Sequence, residues 1–145
     1  SKAGSTEDIK NEIDRMVREE KLSLKQAECI KLKDIDTFAG SSIGERIKRA
    51  YAYGGVKREQ PFVFEYDRQL VQGVIDLYFI EDGQLVIVDY KTDRVLRGRA
   101  GEDELRRRYS IQLDYYAMAL SQITGLKVKE KVIYSFALGR SLTVE

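Results

Sequence analysis

The spacing of apolar residues changes twice along this chain, and each change predicts a different kind of element. Ser5-Thr6-Glu7-Asp8 supplies a hydroxyl cap and first-turn acids, and Ile9, Ile13, Met16 and Val17 follow at helical spacing. Ser23, with Gln26 at the capping-box position and Leu24, Ala27 and Ile30 behind it, predicts a second helix. Shorter helices are expected over residues 32–38 and 42–51, the latter closed by Gly54-Gly55. The pattern then turns to β-branched and aromatic runs: a strand over 62–66 begun by Pro61, the only proline, and a hairpin over 70–91. A Gly- and Arg-rich connection over 92–101 leads to a long helix, 103–124, closed by Gly125. A strand over 128–136 and a short edge strand over 142–144 complete the chain. Helices, three strands, a helix and a strand in that order predict an α/β fold, a mixed central sheet flanked by helices.

Two acids interrupt the apolar runs of the hairpin. Asp76 lies within Val74-Ile75-Asp76-Leu77-Tyr78, and Asp89 within Val86-Ile87-Val88-Asp89-Tyr90. Asp82-Gly83 between the runs is a strong hairpin signal, because a type I′ turn needs positive φ at both central positions. A two-residue turn pairs Glu81 with Gln84, and on that register Asp76 stands opposite Asp89. Directly opposed side chains share a face about 4.5–5.5 Å apart, so like charges repel there and lose hydration as well. A divalent cation would compensate. Lys91 projects from the same face as Asp89, two residues on. Two acids and a lysine on one face predict a metal-assisted hydrolase site. Mg²⁺ or Mn²⁺ would be held by Asp76, Asp89 and a backbone carbonyl such as that of Tyr90, and Lys91 would orient or deprotonate a water or balance transition-state charge. Gly73 reads equally as a bulge or as a point of close backbone approach by a ligand.

On the long helix Leu105, Tyr109, Leu113, Tyr116 and Leu120 form one apolar stripe, and Gln112 falls within it. A buried amide needs a partner. Gln112 and Tyr116 are therefore either a satisfied core pair or a pair facing the metal site. The segment from Lys91 to Arg108 holds seven basic and four acidic residues, Arg94, Arg97, Arg99, Arg106, Arg107 and Arg108 among them. Arg94, Arg97, Arg99 and Arg108 are the candidate contacts for a nucleic-acid backbone, against the plainer reading of a solvated face.

Composition removes several alternatives. In 145 residues, 43% hydrophobic and 34% charged, there is room for one domain with one core. A net charge of +1 means that nucleic-acid affinity must come from a local patch. A lone cysteine, Cys29, excludes an internal disulfide, and the absence of histidine excludes Ser-His-Asp catalysis and imidazole-bound zinc. Neither a membrane-length apolar run nor a signal peptide is visible, which fits a cytoplasmic protein. Residues 1–5 read as a tag remnant or a frayed end, and 6–145 as one domain with a helical part (6–56) and a catalytic αβ core (57–145).

Gly73-x-x-Asp76, Asp89-Tyr90-Lys91 and Gln112-x-x-x-Tyr116 together resemble the RecB-type branch of the PD-(D/E)XK nuclease superfamily. Arg58-Glu59-Gln60-Pro61-Phe62, the run from Val71 to Asp76, and Val88 to Asp93 look like the C-terminal nuclease domains of AddA-type helicase–nucleases. The resemblance covers roughly residues 6–138. It implies a restriction-endonuclease-like core and a Mg²⁺-dependent deoxyribonuclease acting on DNA unwound by helicase domains of the same polypeptide, in a complex with an AddB-type partner. Asp76 and Asp89 would match the metal ligands, Lys91 the catalytic lysine, and Gln112 and Tyr116 the auxiliary motif. Glu59 matches a recurrent glutamate whose role stays open. The family's usual histidine, from a helix upstream, has no counterpart, so the chain reads as a piece of a longer helicase–nuclease. The rival expectation is a non-catalytic module of the same fold that binds DNA or a partner protein. A free-standing Cas4-type nuclease is disfavoured by the missing cluster-binding cysteines.

Overall fold

The computed structural model describes residues 32–145, and the two helices expected before them lie outside the described residues. Helices Leu32–Gly40 (α1) and Ser42–Ala52 (α2) come first. The cap of α2 is Ser41, its Oγ accepting the Gly44 N–H at 3.1 Å. Strands Val56–Tyr66 (β1), Gln69–Glu81 (β2) and Gln84–Lys91 (β3) follow, then helix Arg99–Thr124 (α3) and strands Val128–Ser135 (β4) and Arg140–Val144 (β5). The five strands lie in the order β1-β2-β3-β4-β5, with only β3 and β4 parallel, and α3 makes the crossover between them. The expected mixed sheet flanked by helices is what forms.

The hairpin register is the one the turn dictates. Asp82 and Gly83 have φ of 53° and 74°, and the ladder runs from Glu81↔Gln84 to Leu77↔Val88. A second turn of the same kind, Asp67-Arg68 with φ of 50° and 63°, joins β1 to β2 and carries no glycine to announce it. At its other end β1 begins earlier than expected, at Val56. Pro61 lies inside the strand instead of starting it. Counting from the Tyr66↔Gln69 closing pair, Pro61↔Val74 is a rung without hydrogen bonds, so the absent N–H points to the open edge of the sheet.

Each face of the sheet carries its own core. Leu77, Phe79, Val86, Val88, Tyr90, Val132 and Tyr134 pack under α1 and α2. Tyr78, Leu85, Ile87 and Ile133 pack under α3 with Leu105, Leu113, Tyr116 and Leu120. The strict alternation breaks at one rung. In β2, Leu77 faces α1 and α2, yet Ile75 faces α3; in β1, Val56 packs on the first face, and Phe62 and Phe64 on the second. Between them lie Asp76 and Glu59, on the rung flanked by Arg58↔Leu77 and Gln60↔Ile75, and Glu59 has a φ of 49°. A non-glycine residue in this region is strained, and here the strain turns the outer half of the β1–β2 hairpin over α3. Phe62 then meets Tyr116 edge-on at 5.5 Å. Gly73, paired with Phe62, is not a bulge: the register runs through it unbroken, and an added Cβ would lie 3.0 Å from the Phe62 ring. The close approach there comes from the protein's own aromatic side chain.

Candidate active site

The β2–β3 ladder ends one rung before the two acids meet. Pairs 81/84, 79/86 and 77/88 are the hydrogen-bonded rungs of this hairpin, so the Tyr90 N–H would next go to the Ile75 carbonyl. It goes instead to Asp76 Oδ2, at 2.8 Å. The carboxylate replaces a backbone acceptor and opens the strands where Asp76 and Asp89 face each other. Because N–H and C=O of a strand residue point to the same edge, the Tyr90 carbonyl is directed to this opening too.

Asp89 is 2% exposed, while Asp76 keeps partial contact with solvent. Lys91 Nζ lies 2.9 Å from Asp89 Oδ2, an ion-pair distance without hydrogen-bond alignment, and donates to Gln112 Oε1 at 3.0 Å. Burial, then the neighbouring Asp89 charge, pushes the Asp76 carboxyl well above the usual carboxylate range, against the opposing pull of the Tyr90 N–H and Lys91. The Tyr116 hydroxyl is pushed up by burial and then by the same two acids, so it remains a proton donor. Two acids thus share one lysine, and the pair calls for a proton or a cation.

The donor set suits a hard divalent ion. All its atoms are oxygens: two carboxylates and a carbonyl. Among the described residues no group of three or more Asp, Glu, Cys or His side chains could enclose a metal, and Glu59 does not complete one. Mg²⁺ is commonly held in this way, by one or two carboxylates, with waters and substrate phosphate filling the octahedron.

A match of periods aligns α3 with β3. Asp89, Lys91 and Asp93 follow every second residue along the strand and its exit, while Tyr116, Gln112 and Tyr109 follow one helical turn apart on α3. Two strand residues advance about 6.6 Å and one helical turn about 5.4 Å, so the rows stay abreast over three positions. Gln112 meets Lys91, and Tyr109 meets both Lys91 and Asp93. Asp93 and Tyr109 were not among the expected site residues. The signals were their parity with Asp89 and a spacing of three from Gln112.

The arginines do not form one patch. Arg94 and Arg97 line a pocket of about 510 Å³ with Asp34, Thr92 and Phe136. Arg99, Arg106 and Arg107 line a second one against β5. Arg108 borders a third, beside Phe62, Gln112 and Tyr116, and is already paired with Asp93 and Glu104 at 2.6 Å each.

A carboxylate pair followed by a lysine, at the open end of a mixed sheet with helices on both faces, defines a class of nuclease folds. The chain belongs to the PD-(D/E)XK nuclease superfamily, whose family model matches residues 2–142. It is similar to the A-type component of the ATP-dependent helicase/nuclease of Thermoanaerobacter sp. (strain X514), with 40% identity over 95% of this chain. The proteins of the same name from Acetivibrio thermocellus and Clostridium kluyveri share 40% and 36% identity over 94% of it. The chain spans 12% of the length of each of these relatives. No described helix is long and apolar enough to cross a membrane.

Proposed function

We propose that this chain is the Mg²⁺-dependent deoxyribonuclease domain of a bacterial, cytoplasmic ATP-dependent helicase–nuclease, with Mn²⁺ able to substitute. Residues 6–145 form the domain, and its substrate is unwound, single-stranded DNA produced during double-strand break repair and recombination. Its partners are helicase domains of the same polypeptide and a separate AddB-type protein. The observation that carries this reading is the carboxylate pair at the opened end of the β2–β3 ladder, with Lys91 Nζ 2.9 Å from Asp89.

Asp76, Asp89 and the Tyr90 carbonyl would hold the ion. When bound, the ion would polarise a phosphoryl oxygen and lower the pKa of a bound water. Lys91 brings positive charge to the place where charge builds on the phosphorus oxygens, and Gln112 fixes its Nζ from the helix side. Tyr116 offers a hydroxyl donor beside the acids. Arg94, Arg97 and Arg99, all exposed, would be open to a DNA backbone, whereas Arg108 is engaged by Asp93 and Glu104.

The test incubates single-stranded DNA with this chain and Mg²⁺ or Mn²⁺, beside Asp89→Ala and Lys91→Ala. Cleavage by the parent alone is expected. A metal-induced rise in its melting temperature should also disappear in Asp89→Ala, since an ion at 100 times its Kd adds about 2.7 kcal/mol of stability. A parent that neither cuts nor shifts with metal rejects the reading for this chain.

A further inference from the structure

Lys91 carries a flexible four-carbon stem, and a catalytic charge at its end is useful only if it is held in place. Asp89 and Gln112 account for two of its contacts. The third is an aromatic face: Nζ lies 4.0 Å from the centroid of the Tyr109 ring. Building on the nuclease reading above, we propose that Tyr109 is a positioning residue, a tethered platform that sets where the Lys91 ammonium stands. The tether is explicit. Tyr109 Oη donates to Asp93 Oδ2 at 2.6 Å, Arg108 Nη1 donates to the same oxygen at 2.6 Å, and Arg108 Nη2 is fixed by Glu104 Oε1 at 2.6 Å.

Each part follows from its place in the chain. Asp93 lies just beyond β3, where the strand ladder no longer holds the backbone, so the bond to Tyr109 pins the exit of the catalytic strand to α3. Tyr109 sits three residues before Gln112, on the same helical face, so one helix presents both an amide and a ring to one lysine. A cation on an aromatic face gains about 0.5–2 kcal/mol, enough to favour one rotamer of a long side chain. The Tyr109 hydroxyl, pushed up to about 12 by burial and then by Asp93, stays the donor of the pair, while Asp93 is held below its usual value despite burial, chiefly by the Tyr109 and Arg108 hydrogen bonds. Tyr109 also packs against the α3-side core, so a purely structural role is the alternative to be separated.

The experiment compares the parent chain with Tyr109→Leu, Tyr109→Phe and Asp93→Asn, with folding checked by circular dichroism. In the metal-free protein, NMR reads the ring-current shift of the Lys91 Hε protons, a signal that needs no catalysis. The parent and Tyr109→Phe should show the upfield shift, Asp93→Asn a smaller one, and Tyr109→Leu none. With Mn²⁺ and single-stranded DNA, Tyr109→Leu should lose kcat by about 10²-fold, the scale of a 1 Å misplacement, with KM changed less than about threefold. Tyr109→Phe should recover most of that loss. Two NMR results overturn the proposal: a Lys91 shift unchanged in Tyr109→Leu, or an unshifted Lys91 in the folded parent. A folded Tyr109→Leu that melts lower but retains kcat assigns Tyr109 to packing alone and also rejects it. If the parent cuts nothing, the nuclease reading fails, and the NMR comparison still decides whether Tyr109 holds Lys91.

Discussion

The two ends of the β2–β3 hairpin treat the same residue types in opposite ways. At the turn end, Glu81 accepts from Arg46 at 2.9 and 3.0 Å and from Lys129 at 2.7 Å, Glu130 takes Arg46 at 2.7 Å, and Asp82 takes Lys129 at 3.2 Å. Three acids there are interleaved with two bases, and the Glu81 carboxyl is held down to about 2, chiefly by the Arg46 hydrogen bond. At the open end two acids face one lysine, and the Asp76 carboxyl is driven up. The ladder is complete at the first end and interrupted at the second. One end is arranged for stability. The other retains an electrostatic deficit that a cation can relieve, as expected of functional sites.

The largest effect that tests this contrast is on catalysis. Asp89→Asn should lower metal-dependent cleavage by about 10³-fold, the scale of losing several kcal/mol of charge stabilisation in the transition state. Its metal-free melting temperature should be unchanged or higher, because one of two opposed charges is gone. A variant that melts markedly lower would show that the acid pair stabilises the fold, and the distinction between the ends would collapse.

A smaller effect of opposite kind is expected at the turn end. Arg46 links α2 to β2 and β4, with its side chain 18% exposed. Arg46→Ala leaves Glu130 without that partner and Glu81 with Lys129 alone, and should destabilise by about 1–2 kcal/mol, or about 2–4 °C in melting temperature per kcal/mol. Cleavage measured well below the melting temperature should match the parent. A fall in kcat without a fall in stability would tie the turn end to the site.

How far the sequence exposed this arrangement depended on whether the determinants were local. Asp82-Gly83 set the register of Asp76 and Asp89 because turn type and strand parity are properties of a few adjacent residues. Gly125 marked the end of α3 for the same reason, with its φ of 72°. The Asp67-Arg68 turn was not legible, since neither residue requires positive φ and only the pairing of β1 with β2 imposes it. The turnover at Glu59 and Asp76 was hidden by the assumption of strict alternation, and so Gly73 could not be connected with Phe62. Lys91 gave no sign of resting on Tyr109 because that contact depends on how α3 lies across β3, a tertiary matter. The placement of the arginines was not legible either: neighbours in sequence are divided among three pockets in space.

The smallest expected effect is also the sharpest on the comparison, because it is one of sign. A carboxyl whose folded pKa is lowered stabilises the fold above its unfolded value and loses that contribution as pH falls through the folded value. For Glu81 the window runs from 4.5 down to about 2. A carboxyl whose folded pKa is raised does the reverse: it weighs against folding near neutrality, and that penalty is relieved as pH falls through the raised value of Asp76. Glu81→Gln should therefore melt below the parent at pH 7 and approach it as pH drops below 4.5. Asp76→Asn can still accept the Tyr90 N–H and can donate to Asp89, so in metal-free buffer it should melt above the parent at pH 7, with the gain vanishing toward acid. Melting temperatures of the three proteins across pH 3–8 read both slopes in one experiment. Parallel curves for the two variants would mean that the ends of the hairpin differ in geometry but not in electrostatic purpose.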